Sequence, residues 1–180
     1  RRPLFIASAV NGQPAIQFDG LLERLSDLTF NWGAAPTQFA AWIVYRQDVA
    51  SSGRLIWVYA AGAARPALRT VLATNACDVL VSGATVSTGT TTQGSGNFFA
   101  VHVGWTSTVQ SIGAKGVTED SDANSGAAQA NNLAMDLGQS ATYELPAAFT
   151  VAEILWTSAA PSQDHIDSFQ GYKLYRYGGT

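Results

Sequence analysis

The chain has 180 residues, a length that fits one domain whose core is large enough to stabilise itself. Its formal net charge is −3, and lysine occurs only at Lys115 and Lys173, so the sequence lacks the basic cluster typical of a nucleic-acid-binding protein. No apolar run approaches the ~20 residues of a membrane-spanning helix, and Cys77, the single cysteine, excludes an intrachain disulfide and a thiolate metal cluster.

Two further features favour a piece of a larger assembly. Charged residues make up 13% of the chain, against about 25% in an average domain, which favours a surface partly buried against partners. The start "RRPLFIASAV" has neither an initiator methionine nor a signal-peptide pattern. We therefore expect residues 1–180 to form a single domain from a longer chain, with N-terminal residues missing.

Short alternating segments between turns rich in Gly, Ser, Asn and Pro predict about nine or ten β-strands. "PAIQFDG" at 14–20 is the first clear strand and ends in an Asp-Gly turn. "TQFAAWIVYRQD" at 37–48 is apolar on both faces, which predicts a central strand covered on both sides. The other predicted strands are 54–62, 67–74, 78–86, 98–107, 109–116, 133–139 and 149–158.

The remaining segments before residue 160 predict loops. The stretch 87–97 is polar, and 117–132, "VTEDSDANSGAAQANN", is small, polar and acidic, which predicts the least structured part of the chain. No helical period and no internal repeat occur before residue 160. Many short strands with turn signals predict an all-β sandwich or jelly roll.

The last residues predict one short helix. Ser162 is a suitable N-cap, and Gly178-Gly179 would end the helix. The charges suit the helix dipole, with Asp164 in the first turn and Lys173 and Arg176 in the last. The apolar side chains predict a face that packs on a sheet, formed by Ile166, Phe169 and Tyr177 and flanked by Tyr172 and Leu174.

Two motifs resemble a known family. "NGQPAIQFDG" contains Asn11, Gly12, Phe18, Asp19 and Gly20 and resembles the N-terminal signature of concanavalin A-like lectin/glucanase jelly rolls, the laminin-G and pentraxin-like group. Near the C-terminus, Glu153 in "AEIL", Ser162, and Gly171-Tyr172 followed by "KLYRYG" resemble the ending of such domains in phage and bacterial surface proteins. Tyr177 and Pro161 depart from the usual Trp and Leu.

The resemblance implies a two-sheet antiparallel jelly-roll sandwich with one short C-terminal helix. Functions in that family include glycan binding, adhesion, glycoside cleavage and assembly of virion surfaces, so the fold alone does not choose among them.

Catalysis is disfavoured by the distribution of acids and histidines. Glucanases of this fold carry an E-x-D-x-x-E cluster on one strand, whose alternation puts the acids on one face. None of Glu23, Glu119, Glu144 and Glu153 has an acidic partner at that spacing. Glu153 is expected to be a partly buried, hydrogen-bonded structural acid, and Asp19 to accept backbone hydrogen bonds in its turn. No G-x-S-x-G turn accompanies the two histidines, His102 and His165.

A calcium site is an alternative for the acidic loop. Asp120, Asp122 and Asn124 occupy alternate positions, as at the start of a calcium loop, but Gly126 comes one position late and Asn131 replaces the final Glu. The helix-loop-helix interpretation therefore fails, and an irregular calcium loop competes with a solvated acidic loop.

Sugar binding would use an exposed aromatic ring beside polar side chains. Trp32, next to Asn31 in the loop-like "NWGAAP", is the candidate platform, whereas Trp42, Trp57, Trp105 and Trp156 lie in predicted strands and are interpreted as core.

The sequence thus favours a non-catalytic lectin-like module for adhesion or glycan recognition in an extracellular or virion-surface protein. The alternative is a structural virion component, such as a capsid decoration or tail protein, that acts through protein contacts and forms a homo-oligomer (a trimer if viral). A glycoside-cleaving enzyme comes third. No cofactor is predicted apart from the calcium alternative.

Overall fold

The structure is a computed structural model. It describes residues 2–21, 23–27, 38–49, 53–59, 66–71, 76–81, 84–92, 96–106, 108–123, 134–138, 148–157 and 159–178. Asn31, Trp32 and Asn124 lie outside these residues.

The described residues form thirteen β-strands and one α-helix. The strands are β1 Leu4–Val10, β2 Gln13–Asp19, β3 Arg24–Asp27, β4 Gln38–Gln47, β5 Gly53–Tyr59, β6 Pro66–Val71, β7 Ala76–Val81, β8 Ala84–Thr88, β9 Phe98–Thr106, β10 Val109–Ala114, β11 Val117–Ala123, β12 Ala134–Gly138 and β13 Ala148–Thr157, and the helix is α1 Gln163–Tyr177.

The strands form two antiparallel sheets. The seven-stranded sheet has the order β1-β2-β13-β4-β9-β10-β11, and the six-stranded sheet has the order β3-β12-β5-β6-β7-β8. β10 and β11 contact β7 and β8 of the other sheet, where Ser87 Oγ donates to the Gln110 carbonyl oxygen at 3.3 Å. The predicted two-sheet antiparallel sandwich with one C-terminal helix is confirmed.

β4 is the central strand of the seven-stranded sheet, as its two apolar faces predict. Ala40–Tyr45 are all buried. Trp42 and Val44 form a core cluster with Phe169 and Tyr177 of α1, so the helix covers one face of this sheet. Ile43 lies on the other face, because side chains alternate along a strand.

Three sequence-based expectations are wrong about local structure. The predicted single strand 78–86 is two strands that pair antiparallel, with Val81 opposite Ala84. The segment expected to be least structured begins with β11, which pairs with β10. β11 is an edge strand, and polar or charged side chains are typical of edges because they discourage pairing with other chains. β1 and β3 were not predicted, so the strand number exceeds the expected nine or ten.

The N-terminal motif forms a tight hairpin between β1 and β2. Asn11 and Gly12 have φ values of 46° and 74°, the positive angles that a two-residue type I′ turn requires. Phe18 is buried and stacks on Phe149, with ring centroids 4.6 Å apart. Asp19 Oδ1 accepts from the Leu21 backbone N–H at 2.8 Å, and Gly20 has a φ of 77°.

The helix begins and ends as its sequence predicts. Ser162 is the N-cap, and its hydroxyl accepts from the His165 backbone N–H at 3.2 Å. Gly178 is the C-cap, with a φ of 68°. Arg176 lies in the last turn, as its charge predicts, whereas Lys173, predicted there too, precedes that turn. Lys173 is only 1% exposed, because it lies on the buried stripe with Ile166, Phe169 and Tyr177. Burial lowers the pKa of the Lys173 ammonium.

The two motifs that carry the family resemblance meet in space. Arg176 Nε of α1 donates to Gln13 Oε1 of β2 at 3.1 Å. A Cβ added at Gly178 would lie 3.1 Å from Asn11 Nδ2, so the end of the helix packs against the first hairpin turn. Gly171 has open space where a Cβ would stand, so packing does not require glycine there.

Candidate functional site

A cleft of about 450 Å³ opens between α1 and the seven-stranded sheet. Strands β4 and β13 provide one wall and the first three turns of α1 provide the other. We call it the α1 cleft, and its lining residues are Trp42, Glu153, Leu155, Thr157, His165, Ser168, Phe169 and Tyr172. Its volume lies within the usual range of about 300 to 1,000 Å³ for small-ligand sites.

Aromatic rings form much of the lining. The Trp42 ring centroid lies 6.0 Å from Phe169 and meets His165 edge-on at 6.5 Å. Tyr172 lies 6.2 Å from Phe169 and is exposed at the mouth of the cleft. Trp42 is 3% exposed, as the prediction of a core residue requires, yet its Nε1 has no hydrogen-bond partner among the described residues.

A β-bulge directs Glu153 into this cleft. The pairing of β13 with β4 shifts between Val151, opposite Tyr45, and Glu153, opposite Val44. In a regular strand, residues 151 and 153 would share a face, and Glu153 would lie with Val151 toward the other sheet. Ala152 is instead an unpaired extra residue, so Glu153 takes the opposite face. The bulge therefore moves the carboxylate to the face that α1 covers.

Two phenols and a guanidinium hold the Glu153 carboxylate. Tyr172 Oη donates to Oε1 and Oε2, each at 3.0 Å, and Tyr177 Oη donates to Oε2 at 2.6 Å. Arg176 Nη1 lies 4.0 Å from Oε2 and also donates to Tyr172 Oη. Burial and the hydrogen bond to Glu153 raise the pKa of Tyr177. Glu153 is thus the partly buried, hydrogen-bonded acid that its apolar surroundings predict.

His102 lies on the same face of the sheet but does not line the α1 cleft. It is 3% exposed and opposite Trp42 in the β4–β9 pairing. Its Nε2 lies 3.5 Å from Thr118 Oγ1, and its ring packs against Gly113, where an added Cβ would lie 2.4 Å from Cε1. Burial lowers its pKa to about 4, against a smaller raising effect of Glu119.

The first residues of the segment that suggests a calcium loop lie in a strand that contacts the other sheet. Asp120 and Asp122 lie in β11. Asp120 Oδ2 accepts from the Thr88 backbone N–H at 2.7 Å, and Glu119 Oε2 accepts from the Thr90 N–H at 2.6 Å. Within the described ranges, no three His, Cys, Asp or Glu residues cluster as metal ligands. Calcium binding that involves Asn124 stays a prediction.

The candidate platform of Trp32 with Asn31 also stays a prediction, since both lie outside the described residues. The structure brings together Glu153 and Tyr172, two motif residues that the sequence did not connect. Trp42, Phe169, Leu155 and His165 were not predicted to share a site. These residues come from β4, β13 and α1, and no local sequence pattern shows that the three elements meet.

No family model and no curated protein matches this chain. Solved structures do. The native heptameric SAP-like pentraxin of Limulus polyphemus matches with a TM-score of 0.69 and 10% identity, over 87% of this chain and 81% of that one. The fourth and fifth LG domains of the mouse laminin α1 chain match with a TM-score of 0.66 and 15% identity, over 91% of this chain and 45% of that one.

Trypanosoma rangeli sialidase matches with a TM-score of 0.68 and 14% identity, over 92% of this chain and 28% of that chain. At these identities the likeness shows the fold alone. The chain has the concanavalin A-like jelly-roll fold of the laminin-G and pentraxin-like group, as its two motifs predict. No helix within the described residues has the length and apolar character to cross a membrane.

Proposed function

We propose that this chain is a non-catalytic lectin-like module that recognises a glycan, as the adhesion domain of a larger extracellular or virion-surface protein. The observation that carries the proposal is the α1 cleft, in which the exposed ring of Tyr172 stands beside the fixed carboxylate of Glu153. An aromatic ring can stack on the apolar face of a sugar ring, and a carboxylate can accept hydrogen bonds from the hydroxyl groups of the sugar.

The same cleft supports recognition rather than cleavage. Glycoside hydrolysis uses two carboxyl groups about 5 to 9.5 Å apart, one of them protonated to serve as the acid. Among the described residues that line the cleft, Glu153 is the only carboxylate. Both of its oxygens accept hydrogen bonds from Tyr172, one of them also from Tyr177, and the carboxylate faces Arg176, so it acts as a hydrogen-bond acceptor in this structure.

A glycan array with the intact chain tests this proposal. We expect retention of a defined set of glycans and loss of that signal in Tyr172→Ala. Tyr175→Ala is the matched control, because Tyr175 is 92% exposed on the same helix and does not line the cleft. Trp32→Ala tests the second candidate platform in the same experiment. An array on which no glycan is retained would refute the function.

A second candidate function is a structural component that acts through protein contacts. The observation that favours it is β1, an edge strand of the seven-stranded sheet on which Leu4 and Phe5 are 61% and 66% exposed. An apolar edge can pair with another chain. Light scattering tests this candidate: a stable oligomer that dissociates in the double variant Leu4→Lys, Phe5→Lys supports it, and a monomer at high concentration refutes it.

A further inference from the structure

A second cleft opens at the C-terminal end of α1, and we propose that it is a second saccharide site, which takes a neutral sugar unit through its hydroxyl groups. The inference rests on the glycan recognition proposed above and adds a site that shares no lining residue with the α1 cleft. We call it the hairpin cleft, because the end of the β1–β2 hairpin forms one of its walls.

The hairpin cleft lies where β1, β4, β9 and α1 meet. Its volume is about 520 Å³, within the usual range for small-ligand sites. Its lining includes Ala9 and Val10 of β1, Arg46 of β4, Phe98 of β9 with Asn97 before it, and Gly178 after α1. The phenol of Tyr177 also belongs to the lining but donates to Glu153, so Arg46 and Asn97 are the polar side chains left for a ligand.

Arg46 provides fixed hydrogen-bond donors. An arginine has five N–H donors in a rigid plane. Arg46 Nε donates to Asp48 Oδ1 at 2.6 Å and Nη2 donates to Thr150 Oγ1 at 3.2 Å, while the guanidinium carbon lies 5.3 Å from the centroid of the Phe98 ring. Within the described residues nothing accepts from the three remaining N–H groups.

These remaining donors are accessible. The Arg46 side chain is 24% exposed, and its Nη1 is not fully buried. Nη1 is also the guanidinium nitrogen that contacts neither Asp48 nor Thr150. Because those two contacts hold the guanidinium before a ligand arrives, little conformational entropy is lost when it binds one.

Asn97 adds an amide that can both donate and accept. It is exposed directly before β9, and its side chain makes no hydrogen bond within the described ranges. The preceding backbone is anchored, since the Gly96 N–H donates to the Gln47 carbonyl oxygen at 3.2 Å. The amide is therefore available to a ligand and held near the cleft by a fixed backbone.

The end of α1 provides acceptors. The last carbonyl groups of a helix have no partner within the helix and carry partial negative charge. Here the Leu174 carbonyl accepts from the Gly178 N–H at 3.1 Å, which leaves the carbonyls after Leu174 without an intrahelical partner. Because Tyr177 and Gly178 line the cleft, this helix end favours a ligand that can donate hydrogen bonds.

This combination of donors and acceptors selects the class of ligand. A carboxylate or phosphate only accepts, and its charge would lie near Asp48, which already pairs with Arg46, and near the negative end of α1. An ammonium group only donates and would face the positive charge of Arg46. A hydroxyl group does both, so neighbouring hydroxyls of a neutral sugar can accept from Arg46 and Asn97 and donate to the helix end.

The two clefts lie along the same helix. Tyr172 of the α1 cleft and Tyr177 of the hairpin cleft are five residues apart, about 7.5 Å along the helix axis, and both phenols bind Glu153. A glycan with several sugar units can therefore contact both clefts, and the second contact, being intramolecular, raises the overall affinity.

Nuclear magnetic resonance titration of the intact chain, with labelled backbone amides, tests the inference. The neutral probes are glucose, galactose and mannose, and the anionic probes are glucuronate and phosphate. We expect at least one neutral hexose to shift the amide resonances of Asn97 and Gly178, and both anions to bind several-fold more weakly at these positions.

The protein-side test is the affinity of two variants for the same hexose. Asn97→Ala removes an exposed side chain outside the strands and should weaken binding about three- to ten-fold. Arg46→Lys keeps the charge beside Asp48 but loses the planar fork, and should weaken binding about ten-fold or more. Gln163→Ala is the matched control, since its exposed amide lies at the start of α1 and lines neither cleft. If Arg46→Lys fails to fold, Asn97→Ala still decides.

The outcomes separate the inference from the function on which it rests. Hexose binding that shifts only resonances around the α1 cleft, or equal affinity of wild type and Asn97→Ala, overturns the second site and leaves glycan recognition intact. Tighter binding of glucuronate or phosphate than of any hexose overturns the neutral-sugar assignment. An array on which no glycan is retained, together with no hexose shift anywhere in the chain, refutes the proposed function and the inference together.

Discussion

Acidification should destabilise the fold through His102. Its pKa is about 4 in the folded chain against 6.5 for an unperturbed histidine, chiefly because burial disfavours the imidazolium. A folded-state pKa below the unfolded value means that the unfolded chain binds more protons between these limits, so stability falls as pH decreases from about 6.5 to 4. Above about pH 7 the residue is neutral in both states and contributes no pH dependence.

The magnitude follows from the shift. A difference of about 2.5 pKa units, at ~1.36 kcal/mol each, gives a loss of about 3 kcal/mol when the pH reaches 4. For a chain of this length such a loss lowers Tm by about 6 to 12 °C. The residues around His102 cannot easily rearrange to hydrate a charged ring. The ring is 3% exposed, lies on the sheet face that α1 covers, and packs against Gly113.

The assay is urea unfolding followed by circular dichroism at several pH values from 8 to 4. Carboxylates also titrate in this range, so the quantity to compare is the difference between wild type and His102→Gln, in which their contributions cancel. We expect His102→Gln to lose about 3 kcal/mol less than the wild type over this range. His165→Gln is the matched control, because His165 is the other histidine and is exposed on α1. Parallel curves for wild type and His102→Gln would refute the reasoning.

Three further substitutions test packing and capping by thermal and urea unfolding. Gly113→Ala should destabilise by about 2 kcal/mol or more, because the new Cβ would lie 2.1 Å from the Val117 carbonyl oxygen; wild-type stability would contradict that close approach. Ser162→Ala should cost about 1 kcal/mol through loss of the N-cap hydrogen bond to His165 N–H, with Ser162→Asp as a variant that retains it. Gln110→Met should stabilise by about 1 kcal/mol or more, since the buried amide has no partner among the described residues; a loss of stability would indicate a partner.

Sequence patterns predicted most of the features that depend on local chemistry. The two apolar faces of β4 follow from alternation, and the ends of α1 follow from a capping serine and a glycine able to adopt positive φ. Both signals act within a few residues, so the sequence displays them directly.

The features that sequence patterns failed to predict depend on distant neighbours. β11 is a strand because β10 offers it an edge, although its own residues are polar. Lys173 is buried because it lies on the face of α1 that packs on the sheet. The distribution of charges along the helix does not reveal which face that is. Glu153 faces the α1 cleft because of the bulge at Ala152, and no pattern in the sequence marks that bulge.

The position of β13 sets the order in which the fold can be completed. β13 is the last strand in the chain, yet it lies between β2 and β4 in the seven-stranded sheet. Until residues 148–157 are synthesised, the β1–β2 hairpin has no strand that joins it to the rest of its sheet, and an isolated hairpin is marginally stable in water. The sheet therefore closes only after residues 148–157 have left the ribosome, and a chain truncated before residue 148 should fail to form its first hairpin stably.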